Sequence, residues 1–259
     1  MDAGGLTKEW FLLLVKDLFD PNFGMFTVED ESRLFWFSSD VPDFDAEFQQ
    51  SFHLVGIILG LAIYNSILLD VRFPIACYKK ILGYKVDLED LKQLRPLVAN
   101  GLEKLLEYEG DDFESVFCLD FEIEYSRFGE IIKRELIPHG GGIPVTKSNR
   151  QEYVSRYVDW VLNKSGERQF KSFKDGFMKV CGGNALTLFR PEEIEMMIRG
   201  GADLDLHGLK DVAIYEGLTK DSTFVLWLWD IIESWDMELK GKFLLFVTGS
   251  DRVPATGSF

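Results

Sequence analysis

The feature that most constrains this chain is a pair of glycines, Gly56 and Gly60, set four residues apart inside the apolar run Leu54–Leu69. Residues four apart share one face of a helix. A face stripped of side chains lets a second element come to main-chain distance. Tyr64, Asn65 and Ser66 interrupt the same run, so it reads as the centre of a packed helix from about Phe44 to Leu69 rather than a membrane span. Packing around such a helix needs a large core, and 46% of the 259 residues are hydrophobic and 14% aromatic. That content excludes global disorder.

Lys and Arg number 28 against 43 Asp and Glu, a net charge of −15. A surface this acidic repels phosphate backbones and anionic lipid, which excludes nucleic acid and membrane as main partners. Three cysteines, Cys77, Cys118 and Cys181, do not make a disulfide framework. No signal peptide opens the chain. The expectation is a soluble protein of a reducing compartment, cytoplasmic or also nuclear.

Along the chain, Thr7 is a helix N-cap before Trp10, Phe11, Leu14, Val15 and Leu18, which recur at helical spacing until Asp20-Pro21. Gly24–Val28 and Leu34–Phe37 read as short strands around the charged turn Glu29–Arg33. Pro74 suits the first turn of a helix ending near Gly83, and Asp87–Leu94 and Leu97–Tyr108 read as amphipathic helices. Val116–Ile123 reads as a strand and Ile137–Pro144 as a turn. Ser148–Ser165, Arg168–Val180, Pro191–Arg199, Ser222–Trp235 and Met237–Thr248 are predicted helices. The fold class is α+β, predominantly α-helical.

Catalytic apparatus is not visible. Phosphate-loop, dinucleotide, zincin and Cys-x-x-Cys motifs are absent, so no cofactor is expected. His139-Gly140-Gly141-Gly142 matches an esterase oxyanion string, but no Gly-x-Ser-x-Gly accompanies it and prolines frame it as a turn. With His53, His139 and His207 unclustered, structural roles outweigh a metal site. The three cysteines lie among apolar residues, where cysteine behaves as a small hydrophobe. Catalytic and metal residues are therefore both none.

What stands out is surplus apolar surface. On Ser148–Ser165 the apolar positions Tyr153, Val154, Tyr157, Val158, Trp160, Val161 and Leu162 cover an arc of about 200° at about 100° per residue. One core-facing side needs little more than about 100°. Leu97–Tyr108 repeats the pattern. Either both helices are sandwiched in the interior, or one side of each forms a tyrosine-lined partner groove. Periodicity leaves both open.

Strings along the chain resemble the catalytic domain of HECT-type ubiquitin-protein ligases, in particular the branch of the papillomavirus E6-associated ligase. They include Asp2–Phe11, Gly24-Met25-Phe26, Val55–Asn65, Leu105–Gly110, Leu188–Glu195 and Phe246–Pro254, in the family's order and spacing. The resemblance implies an N-terminal lobe built of a large helical subdomain, residues 1–85 and 162–259, with short β-hairpins and a smaller inserted subdomain, residues 86–161. The smaller part presents a hydrophobic groove to a ubiquitin-conjugating enzyme. The matched groove positions are Val98, Leu102, Leu105, Tyr108, Phe117, Leu119, Tyr153 and Tyr157, and in the groove reading the two tyrosines are partly exposed.

Ubiquitin is carried, in the family, as a thioester on a cysteine of a C-terminal lobe before reaching a substrate lysine. That lobe's Thr-Cys-Phe motif is not in this sequence, so the chain reads as an N-lobe predicted inactive alone. The alternative is a stand-alone module that binds and sequesters a conjugating enzyme.

Overall fold

The glycine pair admits its close neighbour. In a computed structural model that describes residues 5–39, 46–127, 130–201 and 206–248, helix α2 (Ala46–Tyr64) lies along α8 (Glu167–Cys181). A Cβ on Gly56 would fall 2.0 Å from the Phe173 carbonyl oxygen, and one on Gly176 would fall 1.9 Å from that of His53. Each helix supplies a notch for the other's main chain. The His53 ring accordingly lies across the seam, Nδ1 3.3 Å from the Ser172 carbonyl oxygen.

By length and composition alone α2 is apolar enough to cross a membrane, which corrects the reading that its polar interruptions disqualify it. In this fold its inner face is packed instead: Phe52, Val55, Ile58, Leu59 and Ala62 are all buried. The helix stops four to five residues before the predicted end. Asn65 Nδ2 donates to the Leu61 carbonyl at 2.7 Å, and Ser66 takes a left-handed φ of 54° that no helix continues through. The predicted start at Phe44, the N-terminal Asp2–Gly4 and the string from Gly249 to Pro254 lie outside the described residues.

Around this pair the rings of the first third assemble. Strands β1 (Phe26–Val28) and β2 (Phe35–Phe37) pair antiparallel with Phe26 opposite Phe37. They project Phe26, Trp36 and Phe37 inward. Phe19, just after α1 (Gly5–Leu18), stacks on Phe26 at 4.6 Å, and Phe37 stacks on Phe73 at 5.7 Å while meeting Phe173 edge-on at 5.3 Å. Offset and edge-to-face pairs of this kind add about 0.5–1.5 kcal/mol each beyond the area they bury. Helix α3 (Ile75–Leu82), with Pro74 as its N-cap, ends on Gly83 at φ 84°. It packs with α9 (Pro191–Arg199), and the Leu69 N–H reaches the Ile198 carbonyl at 2.8 Å.

Residues 86–161 hold α4 (Leu88–Leu94), α5 (Pro96–Glu107), α6 (Phe113–Phe117), the hairpin β3 (Glu122–Arg127) with β4 (Glu130–Glu135), and α7 (Arg150–Asp159). The predicted strand Val116–Ile123 is corrected: Val116 and Phe117 end α6, Asp120 makes an isolated bridge to Pro144, and the ladder with β4 starts at Glu122. Strand β4 was not predicted. The triglycine is a tight 3-10 turn in which Gly140 is pressed against Phe121, whose N–H donates to the Gly140 carbonyl at 3.0 Å.

The predicted helix Ser148–Ser165 is α7 followed by a π-turn, Trp160–Lys164. The wider turn rotates the face presented before α8 begins. Lys80 of α3 donates to the Leu162 carbonyl inside that turn, with its ammonium 4.1 Å from the Phe170 ring centroid. Burial lowers its pKa to about 8.

One buried core runs from Phe11 to Ile198 through both parts. A second, formed by Leu206, Val225, Trp229, Ile232 and Leu244, belongs to α10 (Leu206–Val212), α11 (Thr223–Ser234) and α12 (Met237–Thr248). There the Trp229 indole N–H donates to the Tyr215 hydroxyl at 2.6 Å.

The notch gives a stability test with an internal control. Gly176→Ala is expected to cost about 2 kcal/mol or more, because its Cβ meets main chain that cannot move aside. Gly101→Ala in α5 meets nothing within 4 Å and is expected to stabilise by about 0.5–1 kcal/mol. Urea unfolding of both variants reads the two signs; a neutral Gly176→Ala contradicts the main-chain contact.

Candidate docking face

Helix α5 opens with Pro96 at its first position, where the missing N–H is not needed. The next donor, the Leu97 N–H, is taken by Glu31 Oε2 at 3.0 Å, a carboxylate that also suits the positive end of the helix. Two more ties from the same β1–β2 turn reach this junction: Ser32 Oγ donates to the Leu94 carbonyl at 2.8 Å, and Arg95 Nη2 meets Glu29 Oε1 at 2.6 Å. On the other side Asp90 caps α4 while binding Lys79 Nζ at 2.7 Å. The start of α5 is thereby fixed to the hairpin and to α3.

Its far end is held by one residue. Arg150, first in α7, donates from Nη1 to the Tyr108 carbonyl, lies 3.5 Å from that of Leu105, pairs with Glu109 at 2.7 Å, and sits 6.0 Å from the Phe113 ring centroid. Unpaired carbonyls at a helix C-terminus favour a cation. Around that clamp Tyr108 and Phe117 meet edge-to-face at 5.3 Å, and Phe117 lies 4.8 Å from Phe113. The Tyr108 hydroxyl donates to Asp112 at 2.5 Å, a bond that raises the phenol's pKa and lowers the carboxyl's.

Val98, Leu102 and Leu105 share one face of α5, and Tyr153 and Tyr157 one face of α7; the two helices are in contact. Burial divides the eight predicted positions. Val98, Tyr108, Phe117, Leu119 and Tyr157 are half-buried against the core. Leu102 is 6% exposed, Leu105 1% and Tyr153 3%. The expected partial exposure of Tyr153 is therefore corrected: its ring is wedged edge-on against Phe121 at 5.5 Å, and burial pushes its hydroxyl pKa up. Tyr157, 6.0 Å from it, keeps an open side. The wide apolar arc is thus divided by burial: its inner residues are core, and its outer ones are half-exposed.

Arg150 and Phe113 were missed from the sequence. One signal was available for Arg150. A cation in the first turn of a helix opposes the helix dipole, so its presence there calls for a partner elsewhere.

The cysteines differ in setting. Cys77 is fully buried and burial drives its thiol pKa far up; Cys181 is half-buried and shifted the same way. Cys118 departs from expectation: it is exposed, at the left-handed end of α6 with φ 46°, and its Sγ–H points to the Ser115 carbonyl at 3.2 Å. Among the described residues no three His, Cys, Asp or Glu side chains converge as metal ligands.

Comparison with known proteins adds to this geometry. The family model described as HECT-domain (ubiquitin-transferase) matches residues 12–259. The probable E3 ubiquitin-protein ligase HECTD2 of Mus musculus is 45% identical over 271 aligned residues, covering 99% of this chain and 34% of that protein. The probable ligase HERC3 of Homo sapiens is 45% identical over 260 residues, covering 99% and 24%. The probable ligase HUL4 of Eremothecium gossypii is 44% identical over 269 residues, covering 99% and 32%. The chain thus spans a quarter to a third of the length of these relatives.

Four substitutions separate support from surface. Arg150→Ala leaves helix-end carbonyls without their donor and is expected to cost about 1–3 kcal/mol, part of which Arg150→Lys restores. Tyr153→Ala empties a core site and is expected to cost about 3 kcal/mol, whereas Tyr157→Ala costs under half of that. Thermal melts check all four; equal losses at the two tyrosines contradict the division of burial.

Proposed function

The chain belongs to the HECT-domain (ubiquitin-transferase) family, and from that premise we propose that its α5–α7 face docks a ubiquitin-conjugating enzyme as part of a ubiquitin-protein ligase. In this reading ubiquitin passes from the docked enzyme to a ligase cysteine as a thioester, and from there to a lysine amine of a protein substrate. The observation that carries the docking step is the outer half of the face. Val98, Tyr108, Phe117, Leu119 and Tyr157 are apolar or aromatic, half-open to solvent, and gathered around α5, which is pinned at both ends.

Pre-set aromatic anchors bind without first paying to order themselves, which suits a partner that arrives charged and leaves discharged. Leu102, Leu105 and Tyr153 act through these anchors by fixing their height and spacing. We place the transfer chemistry on a cysteine of the full ligase other than the three in residues 1–259. A thioester-forming cysteine needs thiolate character and access. Cys77 has no access, Cys181 is raised by burial, and Cys118 sits with no cation paired to it among the ion pairs and hydrogen bonds around it.

Isothermal titration with a panel of conjugating enzymes tests the docking. Truncating a central anchor costs about 2 kcal/mol, or about 30-fold in affinity. Phe117→Ala and Tyr108→Ala are expected to weaken binding on that scale while the protein remains folded. Binding unchanged in both, or no binding by the wild-type chain to any member, overturns the assignment. With activating enzyme, conjugating enzyme and ATP, the isolated chain is expected to form no reducible ubiquitin adduct; one that vanishes in Cys118→Ser overturns the placement of the chemistry.

A further inference from the structure

A cavity of about 430 Å³ opens between the β1–β2 turn, the α4–α5 junction, β3 and the π-turn after α7. One wall is aromatic. Tyr125 and Trp160 stand 5.0 Å apart at 40°, and Tyr157 continues that wall. Acidic side chains line the cavity as well. Glu29, Asp30, Glu31 and Glu124 line the cavity against a single guanidinium, Arg95.

The positive charge is already used up. Arg95 is bound to Glu29 at 2.6 Å, and Lys133, outside the cavity, is shared between Glu124 at 2.7 Å and Glu122 at 2.8 Å. Glu31 accepts the Leu97 N–H, and Asp30 is exposed. Lining residues therefore hold a surplus of negative charge together with π-surfaces in one concave space.

That combination selects one chemistry. Carboxylates attract a cation, and aromatic faces add to the attraction when the cation lies flat on them. A planar guanidinium meets both demands, since it stacks on rings and donates to carboxylates at its edges. A bare metal ion does not fit, because among the described residues no three ligands converge and the space exceeds an ion's needs. An anion meets like charges there. We infer that this cavity is a binding site for the arginine side chain of a basic peptide segment from a partner protein. The site stands apart from the docking of a conjugating enzyme, although Val98 and Tyr157 border both, so occupants of the two surfaces touch common side chains.

The probe is an acetylated, amidated Ala-Ala-Arg-Ala-Ala peptide titrated into the 259-residue chain, followed by the indole N–H resonance of Trp160. A saturable shift is expected, and the citrulline peptide, with the same shape and no charge, should bind about tenfold more weakly. Asp30→Asn combined with Glu124→Gln should weaken the arginine peptide by about the same factor. Tyr125→Leu, which keeps an apolar side chain and removes the π-face, should also weaken it several-fold. Neutralising two acids elsewhere, Glu152→Gln with Glu238→Gln, should change affinity less than about twofold.

Each of three results overturns the site. One is the absence of a saturable shift at Trp160, and another is equal binding of the citrulline peptide. The third is an equal loss in the remote double variant, which would assign the attraction to the net charge of −15 alone.

Discussion

The seam between α2 and α8 is the contact on which the rest of the molecule is built. It joins Gly56 to Phe173 and Gly176 to His53 with main chain on both sides, so the separation of the two helices is set by backbone radii rather than by side chains that repack. A core of interdigitated side chains tolerates volume-conserving exchange; this seam has no volume to exchange. Phe173 and Phe177 on α8, and Phe52 and Val55 on α2, are carried to fixed depth, and the aromatic cluster of the β1–β2 hairpin is stacked on them.

The docking face inherits its position from that hairpin by short polar links. Three of them leave the turn Glu29–Arg33 and end on the α4–α5 junction, and Lys79–Asp90 ties α3 to the same place. Exposed ion pairs contribute little, but Asp90 is 4% exposed and simultaneously caps α4. Its loss would leave Lys79 without its carboxylate partner and the Asp87 N–H without its acceptor. The apolar anchors are therefore placed by polar groups that no hydrophobic pattern reveals.

What could be read from the sequence follows that distinction. Local rules found α1, the first hairpin and nearly every helix, because caps, prolines and apolar spacing are written within a few residues of one another. The strand placed at Val116–Ile123 failed because a short apolar run lacks the length to show its period, and Phe113 and Phe117, four apart, were the helical signal. The wide arc on α7 is apolar on two sides, yet nothing local says which half faces inward; the edge-on fit of Phe121 on Tyr153 decides it. Gly176 was overlooked because a lone helix glycine does not announce its partner, which here is a main chain more than a hundred residues upstream. The family resemblance pointed to eight positions, and the structure divides them by burial into five outer and three inner residues.

The seam also bears on how the chain reaches its native state. His53 and Ser172, which touch across it, are 119 residues apart in sequence, and the whole of residues 86–161 lies within that loop. Closing a loop costs entropy that rises only slowly with its length, but contacts of such long range are slow to find. Neighbours in sequence such as α4 with α5, and β3 with β4, carry no such delay. Until the seam closes, α2 exposes a glycine-notched apolar face to solvent, and collapsed species of this kind are the ones that aggregate. The residue choice that makes the finished core rigid is thus also the source of its most vulnerable interval, between synthesis of α2 and arrival of α8.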